Sequence, residues 1–187
     1  MPDALDLLTT RRSLKPFDMI GPGPSSSELE TILTIGSRVP DHGKMTPWRF
    51  IVFEGDARGK AGDIFAKAFR LKNVTATADQ IAKEQNRFMD APLIVAVVSR
   101  TGVNPKVPAW EQELSAGASC MNVVHAAHAL GYVANWLTGW IAFDRDVLGA
   151  LGVKPEEKLA GFIHIGKAAR AAEDRVRPAL SEIVTRF

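Results

Sequence analysis

Cysteine is nearly absent from this chain. Cys120 is the only one among 187 residues, so no intrachain disulfide can form and no oxidising compartment is implied. It sits among small apolar residues, where a thiol behaves as a buried hydrophobe. An excess of one charge is missing too: 23 Lys and Arg face 21 Asp and Glu. The lack of a long basic run and of interleaved basic and aromatic residues counts against a nucleic-acid module, and none is expected. The longest apolar segment, Leu114 to Val133, is interrupted by Ser115, Asn122, His125 and His128, so it does not read as a membrane span. Met1 to Leu8 carries Asp3 and Asp6 but no basic region, and so does not read as a secretion signal. The cytoplasm is the expected location.

Several motifs are lacking as well. No Gly-x-Gly-x-x-Gly follows a strand and no Walker loop occurs, which leaves a Rossmann site and a P-loop unsupported. His42, His125, His128 and His164 lack the spacing of zinc ligands. No nucleophile elbow frames a serine.

What remains is an ordinary globular composition, 46% hydrophobic and 24% charged. A chain of this length and make-up can bury a core without metal or disulfide, and a single domain over 1–187 is expected. Asp3 to Thr10 reads as a short amphipathic helix. Pro16, Gly21, Pro22, Gly23 and Pro24 break the chain, and Ser25 with Glu28 or Ser27 with Glu30 fits a capping box for the helix that follows. That helix should stop near Arg38, ahead of Pro40. Trp48 to Phe53 and Leu93 to Val98 read as buried strands. Between them, Ala57 to Leu71 and Ala76 to Met89 read as helices of the outer decoration. Glu111 to Leu130, apolar on nearly every side, reads as a helix buried on nearly every side, partly against a second subunit. Tyr132 to Trp136 and Lys158 to Ile165 complete the strands, with a helix capped by Asp144 between them. The class is α+β, a central mixed or antiparallel sheet flanked by helices.

Four segments could carry chemistry. Arg11, Arg12, Ser13 and Lys15 follow the first helix; guanidinium forks and a hydroxyl suit a phosphate, and equally suit a solvated helix end. Arg38 to Trp48 places Arg38, His42 and Lys44 in a proline-bounded loop before a strand, where binding residues concentrate. Asn135 to Trp140 contains Gly139, which lets backbone approach a ligand. Arg175 and Arg177 form a second small basic cluster. Two such clusters suit one phosphate group better than a polyanion.

Taken in this order, the four segments resemble the nitroreductase family of FMN enzymes, and the resemblance spans essentially the whole chain. Arg38-x-Pro40-Asp41-His42, then Pro47-Trp48, is similar to the short bacterial members. The resemblance implies a nitroreductase-like intertwined homodimer with FMN at the subunit interface. It implies that Arg11, Ser13, Arg175 and Arg177 hold the FMN phosphate, with Arg12 contributing, and that Lys15 faces the pyrimidine side. It implies that Arg38 and His42 reach the flavin of the neighbouring subunit. Trp136, Leu137, Thr138 and Gly139 would line the flavin face opposite the substrate. NADH or NADPH would be the electron donor and a small electron-poor molecule the acceptor, in a ping-pong cycle with no side chain assigned as acid or base. Lys44, Thr46 and Thr138 stand where many members carry Asn, Gln and Glu. Flavin enzymes of different chemistry (flavin destruction, dehalogenation, ene reduction) and a non-catalytic flavin carrier share the phosphate motifs; the former would differ at the lid, Phe69 to Gln85.

Overall fold

The computed structural model describes residues 3–187; Met1 and Pro2, part of the segment tested as a signal, lie outside it. Helix α1 (Ala4–Thr10) is capped by the Asp3 side chain, which accepts from the Leu5 amide. Helix α2 (Ser26–Gly36) opens on the Ser25–Glu28 capping box. That box is reinforced by Tyr132, whose hydroxyl donates to Glu28 at 3.0 Å.

Among the described residues the sheet holds five strands: β1 (Met19–Ile20), β2 (Trp48–Glu54), β3 (Leu93–Ser99), β4 (Val133–Leu137) and β5 (Lys158–Ala168). β3 lies between β2 and β5, and β5 pairs also with β4 and with β1. Every one of these pairings is antiparallel, so among the described residues the mixed alternative falls away. β5 runs three residues past the expected end because Ala168 and Lys167 pair with Met19 and Ile20.

All seven residues of β3 are buried, as a strand covered on both faces requires. Period-two alternation then divides the core. Ile94, Ala96 and Val98, with Phe162 of β5, pack toward Phe65, Phe88 and Leu148. Val95 and Val97, with Ile163 and Ile165 of β5, pack toward Ile32, Cys120 and Val123. One helical layer is α3 (Asp56–Lys72) and α6 (Arg145–Ala150), with α4 (Ala78–Gln85) against α3; the other is α2 and α5 (Ala109–Ala129). A four-residue helix, α7 (Leu180–Ile183), lies in an exposed tail.

One helix boundary needs correction. α4 ends at Gln85, four residues short, because Arg87 and Met89 close tight turns onto Glu84 and Asn86. Within one chain, Gln112, Ala116, Ser119 and Val123 of α5 face the core, whereas Trp110 and Leu114 stand 68% and 53% exposed. A stripe at helical spacing is therefore left open in the single chain.

Candidate functional site

The site is built along β4. At its start, Ala134 donates its amide to His128 Nε2 at 3.3 Å. Burial first, then the charge of Arg11, holds His128 at a pKa of about 4 and His125 below its ordinary value. Arg11 itself is held below the ordinary guanidinium range, first by burial and then by Arg177 and Arg12. Cations from the two ends of the chain are thus crowded together here, an arrangement that an anion would relieve. Arg12 is partly committed elsewhere: its Nε donates to the Glu173 carbonyl at 3.0 Å and lies 3.6 Å from the Asp174 carboxylate. It fastens the tail that carries Arg177. Ser13, Lys15, Arg175 and Arg177 are exposed, and Lys15 Nζ lies 5.5 Å from the centre of the Phe17 ring.

At the far end of β4 a cavity of about 450 Å³ opens, lined by Trp136, Leu137, Thr138 and Gly139 and closed by Pro16, Phe88 and Phe162. That volume is typical of a small-molecule site. Gly139 takes φ 69° and ψ −178°, a conformation open essentially to glycine alone. Trp136 is fixed by its Nε1, which donates to the Ala160 carbonyl at 3.0 Å. It also lies over Gly161, where a Cβ would come within 1.9 Å of the indole nitrogen.

The cavity contains polar groups that sequence reading missed: Lys83, Arg87, Asp90 and His164. Glu84 beside them is only 7% exposed. His164 is 3% exposed, and its Nδ1 has no hydrogen-bond partner. Burial, then the Arg87 charge, pushes its pKa to about 4, so it is neutral at physiological pH. Burial raises the Asp90 carboxyl against the opposing pull of Arg87. The segment around Arg87, assigned to outer decoration, in fact forms a wall of the site. The available signal was Glu84 and Arg87 three residues apart next to Phe88, a charged pair beside a large apolar residue.

The Arg38 to Trp48 loop does not line this cavity. Within one chain it lies at the other end of α5, where His42 Nδ1 and Glu111 Oε2 are 2.7 Å apart and Ser115 donates to the Pro40 carbonyl at 2.6 Å. Fourteen residues of α5 separate Glu111 from His125, about 21 Å at 1.5 Å per residue. The loop is tightly specified all the same. Gly43, Lys44 and Thr46 have φ of 68°, 53° and 47°, and the Asp41 carboxylate accepts from the Thr46 amide at 3.0 and 3.1 Å. Arg38 and Lys44 are exposed at the loop surface.

No helix is long and apolar enough to cross a membrane, and no cluster of three or more potential metal-binding side chains occurs among the described residues. The model of the Nitroreductase family matches residues 8–167. The chain is 36% identical to "Putative NAD(P)H nitroreductase YdjA" of Escherichia coli K12, over 99% of this chain and all of that protein. It is 33% identical to a Haemophilus influenzae protein, "Putative NAD(P)H nitroreductase", over 94% of each. Among solved structures, a nitroreductase-like family protein from Bacillus cereus superposes with a TM-score of 0.83 at 19% identity, covering 100% of this chain and 97% of that one. A nitroreductase with bound FMN from Bacteroides fragilis gives 0.71 at 20% identity, covering all of both chains. The last two establish the fold; the family match and the near-full-length relatives establish the lineage, and this chain belongs to the nitroreductase family.

Proposed function

We propose that this chain is an FMN-dependent NAD(P)H oxidoreductase of the nitroreductase type, acting as a homodimer of a single-domain subunit on nitroaromatics, quinones or similarly electron-poor acceptors. The observation that carries the reading is the layout along β4: crowded cations from both chain ends at its start and a cavity at its end. A phosphate at the first and a flat ring at the second describe a mononucleotide. The residues present fit that group. His164 lines the cavity and its Nδ1 is buried with no hydrogen-bond partner, and a buried group of this kind gains roughly 1–3 kcal/mol by finding one. Bare backbone at Gly139 allows close approach. The printed names of the relatives and the FMN bound in the Bacteroides fragilis structure support the same reading.

In this reading Arg11, Ser13, Arg175 and Arg177 hold the phosphate. Arg12 contributes while tying down the tail. Trp136 to Gly139 line one face of the ring, leaving the other for donor and acceptor in turn. Lys15 and Arg87 supply positive charge beside the ring, where it favours a reduced, anionic cofactor. Bound FMN would supply the hydride chemistry between NADH or NADPH and the acceptor. Arg38, His42 and Lys44 complete the site from the second subunit, because one chain holds them some 20 Å along α5 from the cation cluster. Trp110, Leu114, Phe143, Leu180 and Ile183, all more than half exposed in the single chain, are the surface such a subunit covers. The location consistent with this donor is the cytoplasm.

Titrating flavin-free protein with FMN, riboflavin and FAD tests the reading. FMN should bind tightest, riboflavin weaker for lack of the phosphate. Equal binding of FMN and riboflavin, or a preference for FAD, contradicts it.

A further inference from the structure

In the cavity wall beside α4, Arg87 is held by partners whose role the proposed function leaves open. Glu84 is buried, and burying a carboxylate is costly unless it is paired and hydrogen-bonded. It is both. Arg87, three residues on, donates Nε to Oε2 at 2.7 Å and Nη2 to Oε1 at 2.7 Å. Trp140 donates Nε1 to Oε2 at 2.9 Å. Trp140 directly follows Gly139, so the clamp is anchored on the backbone segment that lines the cavity.

The fork occupies two of the three guanidinium nitrogens. The third, Nη1, lies 3.5 Å from the place a Cβ on Gly139 would take, and it donates to no group among the described residues. A bidentate pair sets the plane of a guanidinium as well as its position, which a lysine at the same place could not reproduce. The geometry directs one nitrogen of Arg87 to the cavity side and turns the rest toward its counter-ion.

Resting on the flavin reading above, we propose that Glu84 and Trp140 are positioning residues: they fix Arg87 so that Nη1 alone faces the cofactor ring, and Glu84 sets how much of the Arg87 charge the ring experiences. Glu84 does not touch the ring; it acts through Arg87. Removing the Arg87 charge and removing the Glu84 charge should therefore move the flavin in opposite directions.

The experiment compares Arg87→Gln, Glu84→Gln and Trp140→Phe by FMN titration of flavin-free protein and by the midpoint potential of the FMN-loaded forms. Arg87→Gln is expected to weaken FMN binding roughly tenfold or more, the worth of a charged hydrogen bond, and to lower the potential. Glu84→Gln and Trp140→Phe should each weaken binding several-fold, with Glu84→Gln raising the potential because the Arg87 charge is left unopposed. In an Arg87→Gln background neither should cost further affinity, the signature of action through Arg87. Full additivity overturns the positioning role, and a potential that falls in Glu84→Gln overturns the claim that Glu84 tempers the Arg87 charge at the ring. Should Glu84→Gln fail to fold, Trp140→Phe carries the same test, since it removes one hydrogen bond and no charge: unchanged FMN affinity in it overturns the clamp. Unchanged FMN affinity and potential in Arg87→Gln overturn this inference alone, whereas parent protein that takes up no FMN overturns the function it rests on.

Discussion

Gly161→Ala isolates the wall of the cavity from the rest of the fold. A Cβ on Gly161 would stand 1.9 Å from Trp136 Nε1 and 2.3 Å from its Cδ1. Ordinary contact begins near 3.4 Å, so the indole must retreat by about 1.5 Å, the difference between the two. It has room to do so, because Trp136 is 38% exposed and can move out toward solvent. The retreat breaks its hydrogen bond to the Ala160 carbonyl, a net loss of about 0.5–1.5 kcal/mol. Alanine in place of a strand glycine returns about 0.5–1 kcal/mol through lower backbone entropy in the unfolded chain. Stability should therefore change by less than about 1 kcal/mol. The ring site loses an aromatic wall, worth about 0.5–1.5 kcal/mol beyond its buried area, so FMN affinity should fall about tenfold. Denaturant unfolding, near-ultraviolet circular dichroism and FMN titration read the three quantities. A variant whose tryptophan signal moves while FMN affinity holds refutes Trp136 as a wall; one destabilised by more than about 3 kcal/mol refutes the claim that the indole is free to move.

Arg11→Ala removes a charged donor from the cation cluster and should weaken FMN by about 1.5–3 kcal/mol, giving folded but pale protein that recovers colour at high FMN; unchanged affinity places the phosphate elsewhere. Lys44 has φ 53°, a region Asn tolerates better than Lys, so Lys44→Asn should stabilise the fold by a few tenths of a kcal/mol in denaturant. If Lys44 reaches the ring across the dimer, the same variant lowers the FMN midpoint potential, about 30 mV for each ~1.4 kcal/mol; an unchanged potential assigns it to solvent. His128 and His164 have folded pKa values of about 4 against 6.5 ordinarily, so the unfolded chain binds more protons between those values. Their contribution is complete above pH ~6.5 and is lost as pH falls toward 4, at up to ~1.4 kcal/mol per unit for each group. The denaturation midpoint should drop from pH 7.5 to pH 5, and less so in His164→Phe; a flat profile contradicts the burial of both rings.

Local signals were legible where they depend on neighbours in sequence. The Ser25–Glu28 box, the Asp144 cap and the unbroken apolar run of β3 all appear where the chain announces them. β1 was not announced: its two residues form a strand only because the end of β5, almost 150 residues away, offers unpaired backbone. The same division holds in the site. Trp136 to Gly139 could be picked out as a glycine turn after a strand, and they line the cavity. Arg87 was signalled only by its spacing from Glu84, and His164 not at all, since a lone histidine in an apolar strand gains meaning only when tertiary packing brings it to a cavity. The resemblance implies a place for Arg38 and His42 beside a flavin, yet a single chain keeps the loop that carries them, Lys44 included, away from the cavity.

The visible spectrum of the purified protein, recorded anaerobically before and after NADPH or NADH and followed by acid release of the chromophore, decides whether the chain is an FMN-dependent NAD(P)H oxidoreductase. The expected result is a yellow protein whose flavin band bleaches on adding a reduced nicotinamide cofactor and whose released chromophore runs as FMN. Colourless protein that takes up no FMN, a chromophore that runs as FAD, or a flavin band that neither donor bleaches would contradict it.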